Sequence, residues 1–222
     1  MTKKICIAVV AARAGSKRIK NKNFLKFKNE RIVNLAANIG LSLKKIDYVV
    51  LTSDSKKILG LAKNNKRLIK ILRSKLISKD NSPMLPVIKD AIFKVEKIRK
   101  KKVEKIVILD PTSVLRRKKD ILKAINLFDK KKPSLLVSAN KSDFSPYFDI
   151  IEKKNKYFEL CKKLNKKIYA RQQAKHVYNI NTVVWIYTRN SILFEKMRIP
   201  KKTIILETPE KFSLELNYPK DR

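Results

Sequence analysis

Short unbroken apolar runs alternate along the chain with stretches whose apolar residues recur every three or four positions. ICIAVVA at 5–11 is apolar throughout and predicts a strand buried on both faces. IVNLAANIGLSL has helical spacing, DYVVLTSD predicts a second strand that runs into Thr52, Ser53 and Asp54, and SKKILGLAKN a further helix. RLIKIL reads as a third strand, PMLPVIKDAIFKVEKIRK opens on prolines and settles into a helical period, and KIVILD is a strand closed by Pro111. KKDILKAINLFDKK is an amphipathic helix, followed by the strand SLLVSAN. Apolar strands separated by helices predict a largely parallel sheet covered on both faces and joined by right-handed crossovers, a three-layer α/β domain.

The pattern breaks at residue 141. SPYFDIIEKKNKYFELCKKLNKKIYARQQ has the look of a strand pair or an arm, after which NTVVWIYT and TIILE resume core strands. With no Pro/Gly/Ser-rich linker and no internal repeat, the expectation is one domain over 1–222 with an inserted lobe at about 141–176. The last residues, ELNYPKDR, stop early for this architecture, and a closing helix is expected to be missing.

In an open parallel sheet, ligands bind beyond the carboxyl ends of the strands. The residues there are mostly polar or cationic. After the first strand come Arg13, Gly15, Ser16 and Lys17, then Lys22 and Asn23. Gly15 is expected to let the chain turn and its amides approach an anion. Arg13 can grip phosphate oxygens with two parallel hydrogen bonds, whereas Lys17 and Lys22 act as point charges. The P-loop and the dinucleotide fingerprint are both absent, so taken alone the stretch also reads as an exposed basic loop.

Composition changes this picture little. The net charge is +36, with Lys and Arg totalling 55 against 19 acidic residues. The cations are spread over nearly every predicted helix and loop, which points to solvated faces rather than a nucleic-acid arm. A nucleic-acid binder driven by charge is nevertheless the rival from another class. Cys6 and Cys161 form no disulfide framework or metal spacing. The N-terminus carries no secretory pattern and no stretch reaches the ~20 apolar residues of a membrane span. A cytoplasmic protein without a membrane partner is expected.

The strand-end segments, taken together, resemble the acylneuraminate (sialic acid) cytidylyltransferases. IAVVAARAGSKRIKNKN is similar to that family's apolar strand followed by A-R-x-G-S-K and K-N, and LTSDS to its second-strand motif. ILRSKLISKDNSP resembles R-P-x-x-L-(A/S)-x-D-x-(T/S), ILDPTSVLR resembles L-x-P-T-S-P-L-R, and ARQQAKHVYNINTVVWIY resembles the R-Q segment that leads into a core strand. The order is right and the matches span nearly the whole chain. The resemblance implies a Rossmann-like nucleotidyltransferase fold, an inserted dimerisation lobe with a homodimer, and transfer of CMP from CTP to a nine-carbon 2-keto sugar acid. Legionaminic and pseudaminic acids are as open as neuraminic acid. It places Arg13, Ser16, Lys17, Lys22 and Asn23, with Gly15, at the triphosphate, and Arg73 and Ser82 on the nucleotide side. Arg171, Gln172 and Asn181 fall on the sugar acid.

Some positions depart from the family. Asp110 stands where Gln is usual, and can accept from sugar or ribose hydroxyls or reach a metal. The D-I-D pair that holds Mg²⁺ in the family is matched by Glu215 and Asn217, which alternation puts on one side of an extended segment. A cytidylyltransferase for the eight-carbon acid KDO and a catalytically drifted paralogue are the alternatives. His176, the only histidine, reads as a surface or packing residue, and Trp185 as sheet packing. Phe144, Tyr147 and Phe148 suit either local packing or a dimer seam. Asp54 is expected to cap the following helix, with metal or ribose binding as its other readings.

Overall fold

The structure is a computed structural model that describes residues 4–16, 19–79, 82–163, 173–195 and 197–217. A seven-stranded sheet runs through it in the order β11-β7-β10-β6-β1-β4-β5. Its strands are β1 (Lys4–Ala11), β4 (Tyr48–Ser53), β5 (Leu68–Leu72), β6 (Lys102–Ile108), β7 (Leu135–Lys141), β10 (Tyr178–Thr188) and β11 (Thr203–Glu207). Four of the six pairings are parallel, and β10 runs antiparallel to both its neighbours. The sheet is thus mainly parallel, as the apolar runs predict.

The strand β1 shows why there are three layers. Cys6, Ala8 and Val10 point to one face and join a core with α1 (Ile32–Leu41), α2 (Lys56–Leu61) and α4 (Lys118–Lys131). Ile5, Ile7 and Val9 point to the other and pack on α3 (Met84–Arg99). An unbroken apolar run is what a strand needs when both of its faces are covered.

Gly40 marks the tightest approach of a helix to the sheet. A Cβ there would lie 3.0 Å from Val49 Cγ2 and 3.2 Å from Leu109 Cδ1. Overpacking of this kind costs about 1–3 kcal/mol, against a gain of about 1 kcal/mol in helix propensity for Ala. Gly40→Ala is therefore expected to lower the unfolding free energy by about 1 kcal/mol, read as a lower midpoint in urea with unchanged slope.

Cys6 supplies a pH prediction. Burial pushes its thiol up from 9.0 to about 12, and burial likewise pushes the Tyr187 hydroxyl up to about 12. The folded state therefore holds these protons after the unfolded chain has released them. The thiol's contribution is complete below about pH 9 and is lost between about pH 9 and 12, at up to about 1.4 kcal/mol per pH unit. Urea titrations over that range should show a shallower alkaline decline for Cys6→Ala than for the wild type.

Two departures from the predicted elements have physical causes. β10 begins at Tyr178, before the apolar NTVVWIYT, because the exposed Tyr178, Asn179 and Ile180 pair with Lys141, Asn140 and Ala139 through backbone bonds that need no apolar pattern. The helix at 55–64 is shorter than predicted: α2 stops at Leu61, where Ala62 turns extended. Two short pairs stand apart from the main sheet. β2 (Lys26–Phe27) pairs with β3 (Glu30–Arg31), and β8 (Ile151–Lys154) with β9 (Tyr157–Leu160) through a turn in which Asn155 has φ 57°. Among the described residues no helix is long and apolar enough to cross a membrane.

Candidate active site

The central strand β1 has β4 and β5 on one side and β6 on the other. The chain thus leaves β1 in one direction and returns to its opposite flank, and at such a reversal the loops part and leave a crevice. A cavity of about 590 Å³ opens there, beyond the carboxyl ends of these strands.

The loop after β1 forms one wall. Ala12 N–H still donates to Thr52 O at 3.0 Å, as in the sheet. Beyond it the Arg13 carbonyl accepts from Asn23 Nδ2 at 2.8 Å, and Ala14 N–H donates to Asp54 Oδ1 at 2.9 Å. Asn21, at φ 56°, turns the chain into a single 3₁₀ turn that delivers Lys22 and Asn23 to the cavity. Asn tolerates this left-handed position better than most residues. Arg13 and Ser16 line the same wall. Gly15 does not have a positive φ, and a Cβ there would meet nothing within 4 Å. The turn therefore does not need the freedom the sequence offered.

Arg73 and Ser82 enter from the segment after β5. Arg73 is only 6% exposed; its Nε donates to Ser78 Oγ at 2.8 Å and its Nη1 to Thr52 O at 3.2 Å. Burial lowers its pKa, the charge of Asp54 opposes that, and Arg13 adds to it. Two guanidiniums thus face one cavity and repel each other, an arrangement suited to an anion between them. Ser82 Oγ donates to Leu76 O at 3.3 Å.

Asp110 and Glu215 bring acidic groups to the same cavity. Asp110 follows β6, and its Oδ1 accepts from Thr112 N at 3.0 Å and from Thr112 Oγ1 at 2.8 Å. The backbone of the last segment is tied in by Leu216 N–H donating to Thr112 O at 3.1 Å, which carries Glu215 and Asn217 to the cavity. The Asn217 amide nitrogen donates to Glu215 Oε2. Lys22 Nζ reaches across to Leu216 O at 2.8 Å and Asn217 Oδ1 at 3.3 Å. Residues nearly 200 positions apart in sequence therefore share one corner.

Under this corner lies Arg116, 8% exposed, the last residue of the P-T-S-V-L-R motif and one without a role among the expected site residues. Its Nη2 donates to Asp110 O at 2.6 Å and to Thr182 O at 3.0 Å, joining β6 to β10. Burial depresses its pKa to about 10, and Asp110 and Glu215 oppose the fall. Nothing in the local pattern distinguishes this arginine from the half-buried Arg117 beside it except the motif itself.

Asn181 does not line the cavity; its neighbour Thr182 does. Successive strand residues point to opposite sides. The Asn181 amide is committed to a buried network, donating to Asn140 Oδ1 at 2.7 Å and Thr208 Oγ1 at 2.9 Å. Trp185 Nε1 donates to Asn181 O at 2.7 Å, in keeping with its packing role. The expected cap at Asp54 is corrected too: Ser55 caps α2, accepting from Ile58 N–H at 3.4 Å, while Asp54 turns back to Ala14. Lys17, Arg171 and Gln172 lie outside the described residues. Among the described residues no group of three or more His, Cys, Asp or Glu is placed to hold a metal. The carboxylates that line the cavity are those of Asp110 and Glu215, and Asn217 adds an amide oxygen beside Glu215.

A family model described as cytidylyltransferase matches residues 7–216. The chain is 26% identical to CMP-N,N'-diacetyllegionaminic acid synthase of Campylobacter jejuni over 215 residues, covering 97% of this chain and 91% of that protein. It is 26% identical to post-translational flagellin modification protein B of Campylobacter coli over 187 residues, covering 84% and 79%. Among known structures it is similar to a CMP:2-keto-3-deoxy-manno-octonic acid synthetase complexed with CTP, at TM-score 0.65 and 12% identity, over 97% of this chain and 94% of that one. A 4-diphosphocytidyl-2C-methyl-D-erythritol synthase from Anaerococcus prevotii gives TM-score 0.63 at 16% identity, over 98% and 94%. At these identities the structural likeness shows the fold, a nucleotidyltransferase α/β architecture.

Proposed function

The chain belongs to the cytidylyltransferase family, of the acylneuraminate type, and from that premise we propose that it transfers CMP from CTP to a nine-carbon 2-keto sugar acid of the sialic, legionaminic or pseudaminic kind. The observation that carries this reading is the cavity itself, which Arg13, Lys22 and Arg73 line together with Asp110 and Glu215. A triphosphate and a metal need charges of both signs in one cavity.

In the reaction the anomeric hydroxyl oxygen bonds to the α-phosphorus. The bond from that phosphorus to the oxygen bridging to the β-phosphate breaks, pyrophosphate leaves, and the hydroxyl proton is lost. Protein groups here position the reactants and stabilise charge rather than form bonds. Arg13, Ser16, Lys17 and Lys22 meet the phosphates, with Gly15 leaving room for their approach. Asn23 holds the Arg13 carbonyl and so aims that side chain. Arg73 and Ser82 serve the nucleotide side, and Arg73 enters already fixed by its two hydrogen bonds. Asp110 accepts from a ribose or sugar hydroxyl. Arg171 and Gln172 take the sugar carboxylate, and Asn181 acts through Thr182, whose wall position it braces.

Glu215 and Asn217 fit Mg²⁺ by their chemistry: both present hard oxygens, and the ammonium of Lys22 already rests on the Asn217 and Leu216 oxygens. They would hold the ion, with Asp110 facing them. When bound, Mg²⁺ neutralises charge on the phosphate oxygens. This chain keeps one carboxylate in that pair, so the segment would offer the ion a single negative charge.

The described residues of the inserted lobe support a homodimer. Ile151 is 57% exposed, Tyr157 77% and Phe158 62%, on a two-stranded pair too small to be stable by itself. Light scattering should give twice the mass of one chain, and the lobe at about 141–176 is read as part of a single nucleotidyltransferase unit. The use of CTP and the free thiols of Cys6 and Cys161 suit the cytoplasm.

The deciding experiment is pyrophosphate release from CTP and Mg²⁺ with a panel of nine-carbon and eight-carbon keto acids. Release with a nine-carbon acid supports the reading. Release with KDO alone moves the substrate to the eight-carbon class, and an absence of both release and CTP binding overturns it.

A further inference from the structure

Asp54 stands one layer behind the cavity wall, on the loop that follows β4, and it makes neither the cap nor the cavity contact its sequence suggested. Its Oδ1 accepts from Ala14 N–H at 2.9 Å, while Asn23 Nδ2 donates to the Arg13 carbonyl at 2.8 Å. That amide and that carbonyl belong to one peptide plane. The plane joining Arg13 to Ala14 is therefore gripped at both of its polar groups, by side chains from two different loops. Just before it, Ala12 N–H is held by Thr52 O at 3.0 Å. The peptide that follows Arg13 is thus fixed at both polar groups, and the sheet bond of Ala12 anchors the chain one peptide before the plane that leads into Arg13, which together restrain its Cα–Cβ direction.

The carboxylate has a second consequence. Arg73 and Arg13 repel across the cavity, and the charge of Asp54 attracts Arg73. We infer that Asp54 is a positioning residue for the nucleotide: it clamps the Arg13–Ala14 peptide and offsets the repulsion between the two arginines until a triphosphate enters. This rests on the reading that the cavity takes CTP. The structure assigns to Asp54 an effect on nucleotide binding and none on the sugar acid, since its contacts all lie in the loops after β1, β4 and β5.

The test compares Asp54→Ala and Asp54→Asn in steady-state kinetics and in calorimetric binding of CTP, with thermal melts of each protein. Asp54→Ala is expected to raise KM for CTP about 10-fold, the size of one lost charge-assisted hydrogen bond, with KM for the sugar acid unchanged and a fall in kcat far smaller than that of Arg13→Ala, because the guanidinium itself remains. Asp54→Asn keeps an acceptor oxygen for Ala14 and should recover CTP binding to within about 3-fold of wild type, the remainder narrowing as salt screens the arginine pair. An unchanged KM for CTP in Asp54→Ala overturns the inference. So does an equal rise in KM for both substrates together with a lowered melting temperature, which is the mark of a merely structural role. A wild-type protein that binds no CTP instead overturns the cytidylyltransferase reading, and it does so before any variant is made.

Discussion

Arg13→Ala lowers kcat/KM for CTP by about 10²–10³-fold, the cost of removing one preorganised donor from developing negative charge. The expectation is this large because so much of the local structure serves to aim that side chain: the sheet bond from Ala12, the Asn23 amide and the Asp54 carboxylate. The fall should appear in kcat as well as in KM. Charge accumulates on the leaving pyrophosphate in the transition state, so a group that meets it there contributes more than ground-state binding. Arg13→Lys restores charge without the bidentate fork and should recover only part of the loss. Steady-state rates over a CTP series, with the sugar acid saturating, measure both numbers. A variant within about 3-fold of wild type would remove Arg13 from the phosphate site, since positioning losses at such donors are far larger.

The second large effect belongs to Glu215. Glu215→Gln keeps the shape of the segment and removes the charge, and it is expected to weaken Mg²⁺ binding at least about 10-fold and to lower kcat at limiting Mg²⁺ by a similar factor. Titration with Mn²⁺ followed by electron paramagnetic resonance reads the affinity without any turnover. Asn217→Asp should act in the opposite direction, tightening the metal by adding a carboxylate to the pair. It also strengthens the contact with Lys22, which sits on the Asn217 oxygen. If neither substitution moves the metal affinity, the ion is not held by this segment.

These two sites differ in how far the linear chain announces them. Arg13 follows an unbroken apolar strand, and loops at the carboxyl ends of such strands are where an open α/β sheet binds its ligands. Its residue type and place were legible because strand burial and phosphate chemistry are both local properties. Glu215 was legible only through the likeness of a short extended segment to a metal motif. What that segment touches, Thr112 through Leu216 and Lys22 through Asn217, follows from a fold that closes nearly 200 residues into one corner.

The sequence by itself determined the layers, the strand ends and the charge of the loop after β1, because periodicity and residue chemistry act over a few positions. Tertiary structure alone decided which side chains reach the cavity. Asn181 reads as a ligand contact until the alternation of β10 turns it into a buried network and brings Thr182 to the wall. Asp54 reads as a helix cap until the neighbouring strand places Ala14 N–H within 2.9 Å of it. Arg116 reads like Arg117 until β6 and β10 close over it. In each case a deciding partner lies on another strand or on the loop that follows it, and hydrogen bonds and desolvation depend on distance in space rather than along the chain.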